Sequence, residues 1–386
     1  MTTAGLRRGA IAVVGAAESD IGAVAAGMSP IDLMAQGVQR ALQDAGLRLD
    51  EVDGLFAAGM QTRMPTLALA EYLGLRPRWQ DGTNIGGSSF MSHLAHAQLA
   101  IAAGCCEVAV IAYGSTQRSM GRATVAVPEF NPYESPFRPV LPASAYALAA
   151  SRHMHLHGTT REQLAEVAVA ARRWALLNPK AWEREPLTVA QVLGSRMVSH
   201  PLTVRDCCLV SDGGGALVVT SAERARTLRR PPVFVLGFGE ALSHQSISSM
   251  PDLSTTAACE SGAAAYRMAG LGAKDIDVVE LYDAFTLCTL LFLEDLGFCA
   301  KGEGGAFVAS GAIAPGGALP VNTNGGGLSY GHPGMYGIFV LIEAVCQLRG
   351  ECGARQVSGC HTAIAHGNGG VLSSQCTVIL GSADTL

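Results

Sequence analysis

The stretch Asn322-Thr323-Asn324-Gly325-Gly326-Gly327-Leu328-Ser329-Tyr330-Gly331-His332-Pro333-Gly334 carries one imidazole between a Pro/Gly-rich loop and an apolar helical run. Five glycines in these thirteen residues let the backbone take positive φ and come close to a ligand. His332 at the mouth of the following helix offers a proton donor or acceptor near neutral pH. Two readings are open: an active-site turn, or a tight strand-to-helix turn with a satisfied histidine. Two other glycine-rich loops keep it company, Gly86-Gly87-Ser88-Ser89 before an Ala-rich helix and Gly367-Asn368-Gly369-Gly370 before the last strand. Ser88 and Ser89 would need a neighbouring base to serve as nucleophiles; otherwise they read as helix N-caps.

The elements that must position these loops alternate between strand and helix. Ala10 to Ala17 and Val108 to Tyr113 are short β-branched runs that read as buried strands, and Val52 to Ala58 reads as another. A helix is predicted from Pro30 to about Ala45, capped by Ser29 and stopped by Gly46. From Gln117 to Pro142 the pattern breaks into Pro, Arg and aromatic residues. Helices near 143–157, 161–177 and 187–194 follow, and a strand resumes at 215–220. The segment 117–205 reads as an excursion that roofs the active site. This spacing predicts an α/β fold with mostly parallel sheet.

The second half repeats the first. Ala41 to Leu47 followed by Glu51 to Leu55 aligns with Ala265 to Leu271 followed by Asp275 to Val279, at a constant offset of 224 residues. In both copies a helix ends in Ala-Gly-Leu and an acidic turn leads into a buried strand. A duplication would bring two glycine-rich helix starts to one shared site. The alternative is chance recurrence of a common turn.

Composition narrows the function classes. Charged residues make up 15% of the 386, against roughly 25% in an average soluble domain. Less solvated surface implies more buried interface, and a homo-oligomer is expected. A net charge of −5 provides no basic field for nucleic acid or anionic membrane. Eleven cysteines, irregularly spaced and mostly in apolar runs, read as reduced thiols. His153, His155 and His157 alternate within a predicted helix, which does not put three ligands on one face, so no metal is expected there. With no signal core at the start and no apolar run of about 18 residues, the expected compartment is the cytoplasm.

The duplicated halves, the Gly-His-Pro turn and the Gly367-Asn368-Gly369-Gly370 loop together resemble the thiolase superfamily across essentially the whole chain. The nearer resemblance is to its lipid-transfer branch, close to sterol-carrier-type thiolases and steroid side-chain aldolases. Glu280-Leu281-Tyr282-Asp283-Ala284-Phe285 stands where thiolases carry Asn-Glu-Ala-Phe, and His366-Gly367-Asn368-Gly369-Gly370 where many carry Cys-x-Gly-Gly. The resemblance implies a layered αβαβα fold with two mixed, mostly parallel sheets. Its N-terminal half would span 1–116 and 206–235, its cover 117–205 and its C-terminal half 236–386.

Departures from the family pattern bear on the chemistry. Thiolases attack the thioester with a cysteine about fourteen residues before the isoleucine of an Ala-Ile-x-x-Gly helix end. Here that isoleucine is Ile101, and the position falls at Gly87 or its neighbour Gly86. His366 replaces the second catalytic cysteine, and Tyr282 replaces the oxyanion-hole asparagine.

What remains fits stabilisation of a thioester enolate, with His332, the Asn368 region and backbone at Gly87, Ser88 and Gly369 as donors. The resemblance to the aldolases implies Tyr282 and Tyr330 as an acid/base pair for retro-aldol cleavage of a β-hydroxyacyl-CoA. His332 or His366 could share that work, and each tyrosine also reads as a buried ring. A phenol acting as a base would need its pKa lowered by roughly 3 units.

Two other functions stay open: an acyltransferase with a serine nucleophile, and a non-catalytic acyl-CoA or lipid-binding protein. Coenzyme A enters as part of the substrate, with no covalently bound cofactor. The expected partners are a second copy of the chain, as a homodimer, and a small zinc-ribbon/OB-fold protein.

Overall fold

In the computed structural model, which describes residues 5–121 and 131–386, the local signals place the elements. Ser29 caps helix α1 (Pro30–Ala45): its Oγ accepts from the Asp32 N–H at 3.3 Å, and Asp32 accepts back from the Ser29 N–H at 2.8 Å. Gly46 ends the helix with φ of 71°, a conformation that favours glycine. Around α1 the first half runs β1 (Ile11–Glu18), β2 (Gly54–Ala57), α2 (Pro65–Leu73), β3 (Trp79–Asp81), α3 (Ser89–Ala102) and β4 (Val108–Ser115). After the cover come β7 (Gly213–Ser221) and the short α8 (Ala222–Ala225). The cover contributes α4 (Gln117–Met120), α5 (Ala143–His157), α6 (Arg161–Ala175), α7 (Val189–Leu193), β5 (Met197–Ser199) and β6 (Leu202–Thr203). Of the expected 117–205 segment, residues 122–130 lie outside the described residues, as do residues 1–4 of the expected N-terminal half.

The second half runs β8 (Val233–Leu242), α9 (Ala258–Ala269), β9 (Val278–Leu281), α10 (Thr286–Asp295), α11 (Gly304–Ala309), α12 (Gly337–Leu348), β10 (Thr362–Gly369) and β11 (Ser374–Gly381). The repeat is visible in the backbone. Gly270 ends α9 as Gly46 ends α1, both left-handed, and a single 3-10 turn then leads into β9 as another leads into β2.

Strand order across the molecule is β3-β2-β4-β7-β1-β8-β11-β10-β9, so the halves mirror each other about the β1–β8 seam. That seam is short, pairing only Ala12 with Phe234 and Val13 with Val233. The sheet is mixed, as expected, but the seam joins the two expected sheets into one of nine strands: β2 pairs parallel with β3 and β4, and β9 with β10. The pairs nearer the seam are antiparallel, because β10 and β11 form a hairpin and β7 returns beside β1 after the cover.

Helices α3 and α12 touch strands of both halves and form the middle layer, while α1 and α9 cover the outer faces. Both middle helices are buried along nearly their whole length, which is why their sequences are apolar on every side. All eleven cysteines are free thiols. Among the described residues, no helix is long and apolar enough to cross a membrane.

The histidine-bearing helix predicted in the cover is α5, and it uses His153 structurally. The ring's Nε2 meets Glu294 at 3.1 Å and its Nδ1 meets Thr159 Oγ1 at 2.9 Å, all buried. Burial pushes the Glu294 carboxyl up, but contacts from His153, the Gly304 N–H and Lys301 outweigh it and pull it down to about 2.

Burial depresses three other histidines, His93, His332 and His366, to about 4. Each is neutral when folded and titrates near 6.5 when unfolded. The unfolded chain therefore binds more protons between these values, and stability falls as pH drops from about 6.5 to about 4. Urea unfolding across that window is expected to show a shallower pH slope in His93→Gln, by roughly 1.4 kcal/mol per pH unit. A slope parallel to the parent's would contradict this.

Candidate active site

The turn around His332 is held from three sides. From β9's end, Asp283 Oδ1 accepts from the Gly327 N–H at 2.6 Å, and Oδ2 from the Leu328 N–H at 3.4 Å. Burial raises this carboxyl to about 7 against the lowering effect of those amides. From the cover, the N–H groups of Trp182 and Glu183 donate to the carbonyls of Tyr330 and Ser329, each at 3.0 Å, and Arg172 Nε donates to Ser329 Oγ at 3.0 Å. From the first half, the Tyr113 hydroxyl accepts from the Met335 N–H at 3.0 Å and donates to the Pro333 carbonyl. Ser211 Oγ accepts from the His332 N–H at 2.9 Å. A glycine-rich backbone buried this deeply needs such partners for its amides.

A cavity of about 230 Å³ opens beside the turn. Its wall includes Gly87 from the first half, Tyr282, His332, Asn368 and Gly369 from the second, and Tyr146 from α5. His332 is 7% exposed. Its Nδ1 accepts from the Gly334 N–H at 3.4 Å, which leaves Nε2 as the protonated nitrogen. That Nε2 is buried and has no hydrogen-bond partner among the described residues. Held neutral by burial, the ring presents that N–H at the cavity wall as a donor.

Tyr282 stands edge-on to His332, with ring centroids 5.4 Å apart, and its hydroxyl donates to the Gly334 carbonyl at 3.0 Å. The ring fills the space into which residue 87 would project. A Cβ built on Gly87 falls 2.0 Å from Tyr282 Cε2 and 2.7 Å from the Asn368 carbonyl.

Four of the sequence-derived candidates besides His332 therefore meet at the cavity: Tyr282, Gly87, Asn368 and Gly369. Three do not. Tyr330 ends the π-helical turn Gly326–Tyr330 and packs into the core, 6.3 Å from the Phe339 ring, because the chain leaves the turn through an extended Gly331 that separates it from His332. His366 lies two residues deeper along β10 than Asn368, with both ring nitrogens bonded to Gln375 and Thr377 at 2.9 Å. Ser88 caps no backbone amide; its hydroxyl is buried and donates to the Ser374 carbonyl at 2.9 Å. Ser89 Oγ donates to the Gly86 carbonyl at 2.7 Å.

Among the cavity residues that were not candidates from the sequence, two carry a titratable group. Tyr146 stacks on Phe285 at 4.3 Å, and its hydroxyl accepts from Asn368 Nδ2 at 2.9 Å. Cys208 also lines the wall, but burial and the neighbouring Cys207 and Asp283 push its thiol well up. The cover that carries Tyr146 was legible as a roof, and Cys208 follows it directly, yet neither residue sits in a motif. The phenol pKa values also move opposite to a base's requirement, since burial raises Tyr282 and Tyr146 alike. Among the described residues, no His, Cys, Asp and Glu cluster is arranged to hold a metal ion.

A duplicated, layered α/β fold with a glycine-lined cavity where its halves meet defines a thiolase-like protein. A thiolase C-terminal domain-like family model matches residues 239–382. A steroid side-chain-cleaving aldolase of Thermomonospora curvata is 36% identical over 363 residues, 88% of this chain and 90% of its own. A 17-hydroxy-3-oxo-4-pregnene-20-carboxyl-CoA lyase of Mycobacterium tuberculosis is 34% identical, over 89% of this chain and 92% of its own. An acetyl-CoA acetyltransferase of Methanothermobacter thermautotrophicus is also 34% identical, over 93% and 96%. The solved Ltp2-ChsH2(DUF35) aldolase superposes with a TM-score of 0.88 at 33% identity, covering 98% of this chain and 99% of that one. The chain belongs to the thiolase superfamily of enzymes.

Gly87→Ala is expected to lower stability by about 1–3 kcal/mol, because a methyl group there overlaps both a ring and a backbone carbonyl. Denaturant unfolding measures this, and parent-like stability would contradict the close packing at residue 87.

Proposed function

We propose that the protein cleaves a carbon–carbon bond of an acyl-CoA thioester, by retro-aldol fission of a β-hydroxyacyl-CoA and without a covalent acyl-enzyme. The observation that carries this reading is the Tyr282 ring, which occupies the volume a nucleophilic side chain at position 87 would need. The names of the similar lyase, aldolase and Ltp2-ChsH2 structure support it.

In the proposed step, the β-hydroxyl loses its proton and the Cα–Cβ bonding electrons move into the thioester as an enolate. The ketone or aldehyde then leaves, and the α-carbon takes a proton. His332 Nε2–H, neutral and without a hydrogen-bond partner among the described residues, donates to the enolate oxygen, where removal of one such donor typically costs about 10²–10³ in rate. Tyr282 and Tyr146 are the acid/base pair. Because burial disfavours a free phenolate, the pair acts as a shuttle: a phenol gives its proton to the α-carbon as the β-hydroxyl proton refills it.

An acyltransferase reading draws on the acetyltransferase relative and on the Cys208 thiol in the wall. It is the weaker reading, since that thiol is held protonated and the Ser88 and Ser89 hydroxyls are tied to carbonyls. The cavity is smaller than the roughly 300–1,000 Å³ typical of sites that hold a whole drug-sized ligand, so it takes the reacting end alone. The rest of the acyl-CoA would be held by surrounding surface, including a small DUF35-type zinc-ribbon/OB-fold partner, and the chain would work as a homodimer. Coenzyme A is part of the substrate in this scheme, with no resident cofactor.

Mass spectrometry of β-hydroxyacyl-CoA and 3-ketoacyl-CoA panels, with and without free CoA, tests the reaction. The expected products are a ketone or aldehyde and a shortened acyl-CoA, formed without free CoA. Cleavage of the ketoacyl substrate only when CoA is added would sink the proposal. Tyr282→Phe and Tyr146→Phe are each expected to lower kcat by about 10²–10⁴, and Tyr330→Phe to leave it near the parent's. Addition of a DUF35-type partner is expected to raise turnover and to co-elute with this chain; an unchanged rate and separate elution would argue against the partner.

A further inference from the structure

Behind the cavity wall runs a chain of buried hydrogen bonds whose direction is fixed at one end. The Gly370 carbonyl can only accept, so the Tyr146 hydroxyl donates to it, at 3.2 Å. Tyr146 oxygen is thereby left to accept from Asn368 Nδ2, at 2.9 Å. Asn368 Oδ1 accepts from Gln375 Nε2 at 2.9 Å, which turns Gln375 Oε1 toward His366 Nε2, also at 2.9 Å. His366 must donate there, and its Nδ1 then accepts from Thr377 Oγ1 at 2.9 Å. Ser261 Oγ of α9 stands 2.9 Å from Thr377 and completes the chain. Reversing any amide or the imidazole tautomer would set two acceptors or two donors against each other.

We infer that Gln375 and His366 are positioning residues: they hold the Asn368 amide with its NH₂ group toward Tyr146 and so set the hydrogen-bonding state of that cavity-wall phenol. The inference rests on the proposed use of the cavity. Neither residue lines it, and His366 is reassigned from a candidate base to the orienter of an amide. Among the described residues, His366 on β10 is the titratable group hydrogen-bonded to Gln375. The facing Asn368 and Thr377 are neutral, Ala241 of β8 lies opposite in register, and Phe292 of α10 covers the imidazole at 4.5 Å.

Gln375→Glu separates positioning from packing. While protonated, the introduced carboxyl accepts from His366 and donates to Asn368, as the amide does. Once ionised it can only accept, and the Asn368 amide must turn its NH₂ away from Tyr146. A buried carboxyl of this kind titrates up to about 8–9. Gln375→Glu is therefore expected to match the parent's kcat at low pH and to fall about 10–100-fold as that carboxyl ionises, with KM within about twofold. Gln375→Met is expected to lower kcat by a similar factor at every pH.

A second readout needs no turnover. In protein labelled with ¹³C at the tyrosine Cζ, the Tyr146 signal, assigned by its loss in Tyr146→Phe, should shift with pH in Gln375→Glu and stay fixed in the parent. Movement of that signal in a protein that cleaves nothing would keep this inference and refute the lyase reading. A Tyr146 signal in Gln375→Glu that stays at the parent's position across the pH range would overturn the inference. So would a kcat profile parallel to the parent's. If Gln375→Met does not fold, Gln375→Glu decides alone.

Discussion

Backbone meets backbone where the two halves of the chain come together, and the site depends on that contact. A Cβ on Gly86 would fall 2.6 Å from Gly369 Cα, one on Gly369 would fall 1.7 Å from the Ile85 carbonyl, and one on Gly337 would fall 1.9 Å from the Gly87 carbonyl. No side chain fits at any of these points. The approach locks the start of α3 against the β10–β11 hairpin and the start of α12, so the first-half loop and the second-half loops share one wall. It also leaves residue 87 no room for a nucleophile, since the Tyr282 ring is already there. That crowding at residue 87 is the steric ground for the proposed reaction without a covalent intermediate.

Desolvation then sets the protonation states. Within this wall His332 is depressed to about 4 while the Tyr282 phenol is pushed well up, so each group sits in its neutral form at physiological pH. A neutral imidazole with an unbonded N–H is suited to receive charge that develops on an oxygen, because its dipole is already oriented and needs no reorganisation. Fixed partners of the backbone achieve that orientation. Asp283, Tyr113, Ser211 and the strap from the cover hold the turn, so the ring's position is the sum of contacts from every part of the chain.

Much of this was legible in the sequence because it depends on local signals. Ser29, Pro30 and Gly46 set one helix, and the 224-residue echo set the duplication, which in turn implied that the glycine loops converge. Side-chain direction was not legible. Tyr330 and His332 are two residues apart, yet a π-helical turn and an extended Gly331 send one into the core and the other to the cavity. His366 and Asn368 share a face of β10, but a strand advances about 3.3 Å per residue, and the cavity reaches only the outer of the two. Tyr146 reaches the wall from a helix of the cover, through packing on Phe285 that no short motif announces.

Hydrogen exchange at the α-carbon of a thioester reports whether an enolate forms in this cavity with no bond to the protein, as proposed. Acetyl-CoA and propionyl-CoA would be incubated with the protein in D₂O together with an aldehyde or ketone, whose oxygen takes the shuttled proton, and α-deuteration would be followed by NMR with intact-protein mass recorded in parallel. Deuteration that depends on His332 and Tyr282, together with an unmodified protein mass, is the expected result. An acyl group found on the protein, or no α-exchange under conditions where the thioester binds, would contradict the account.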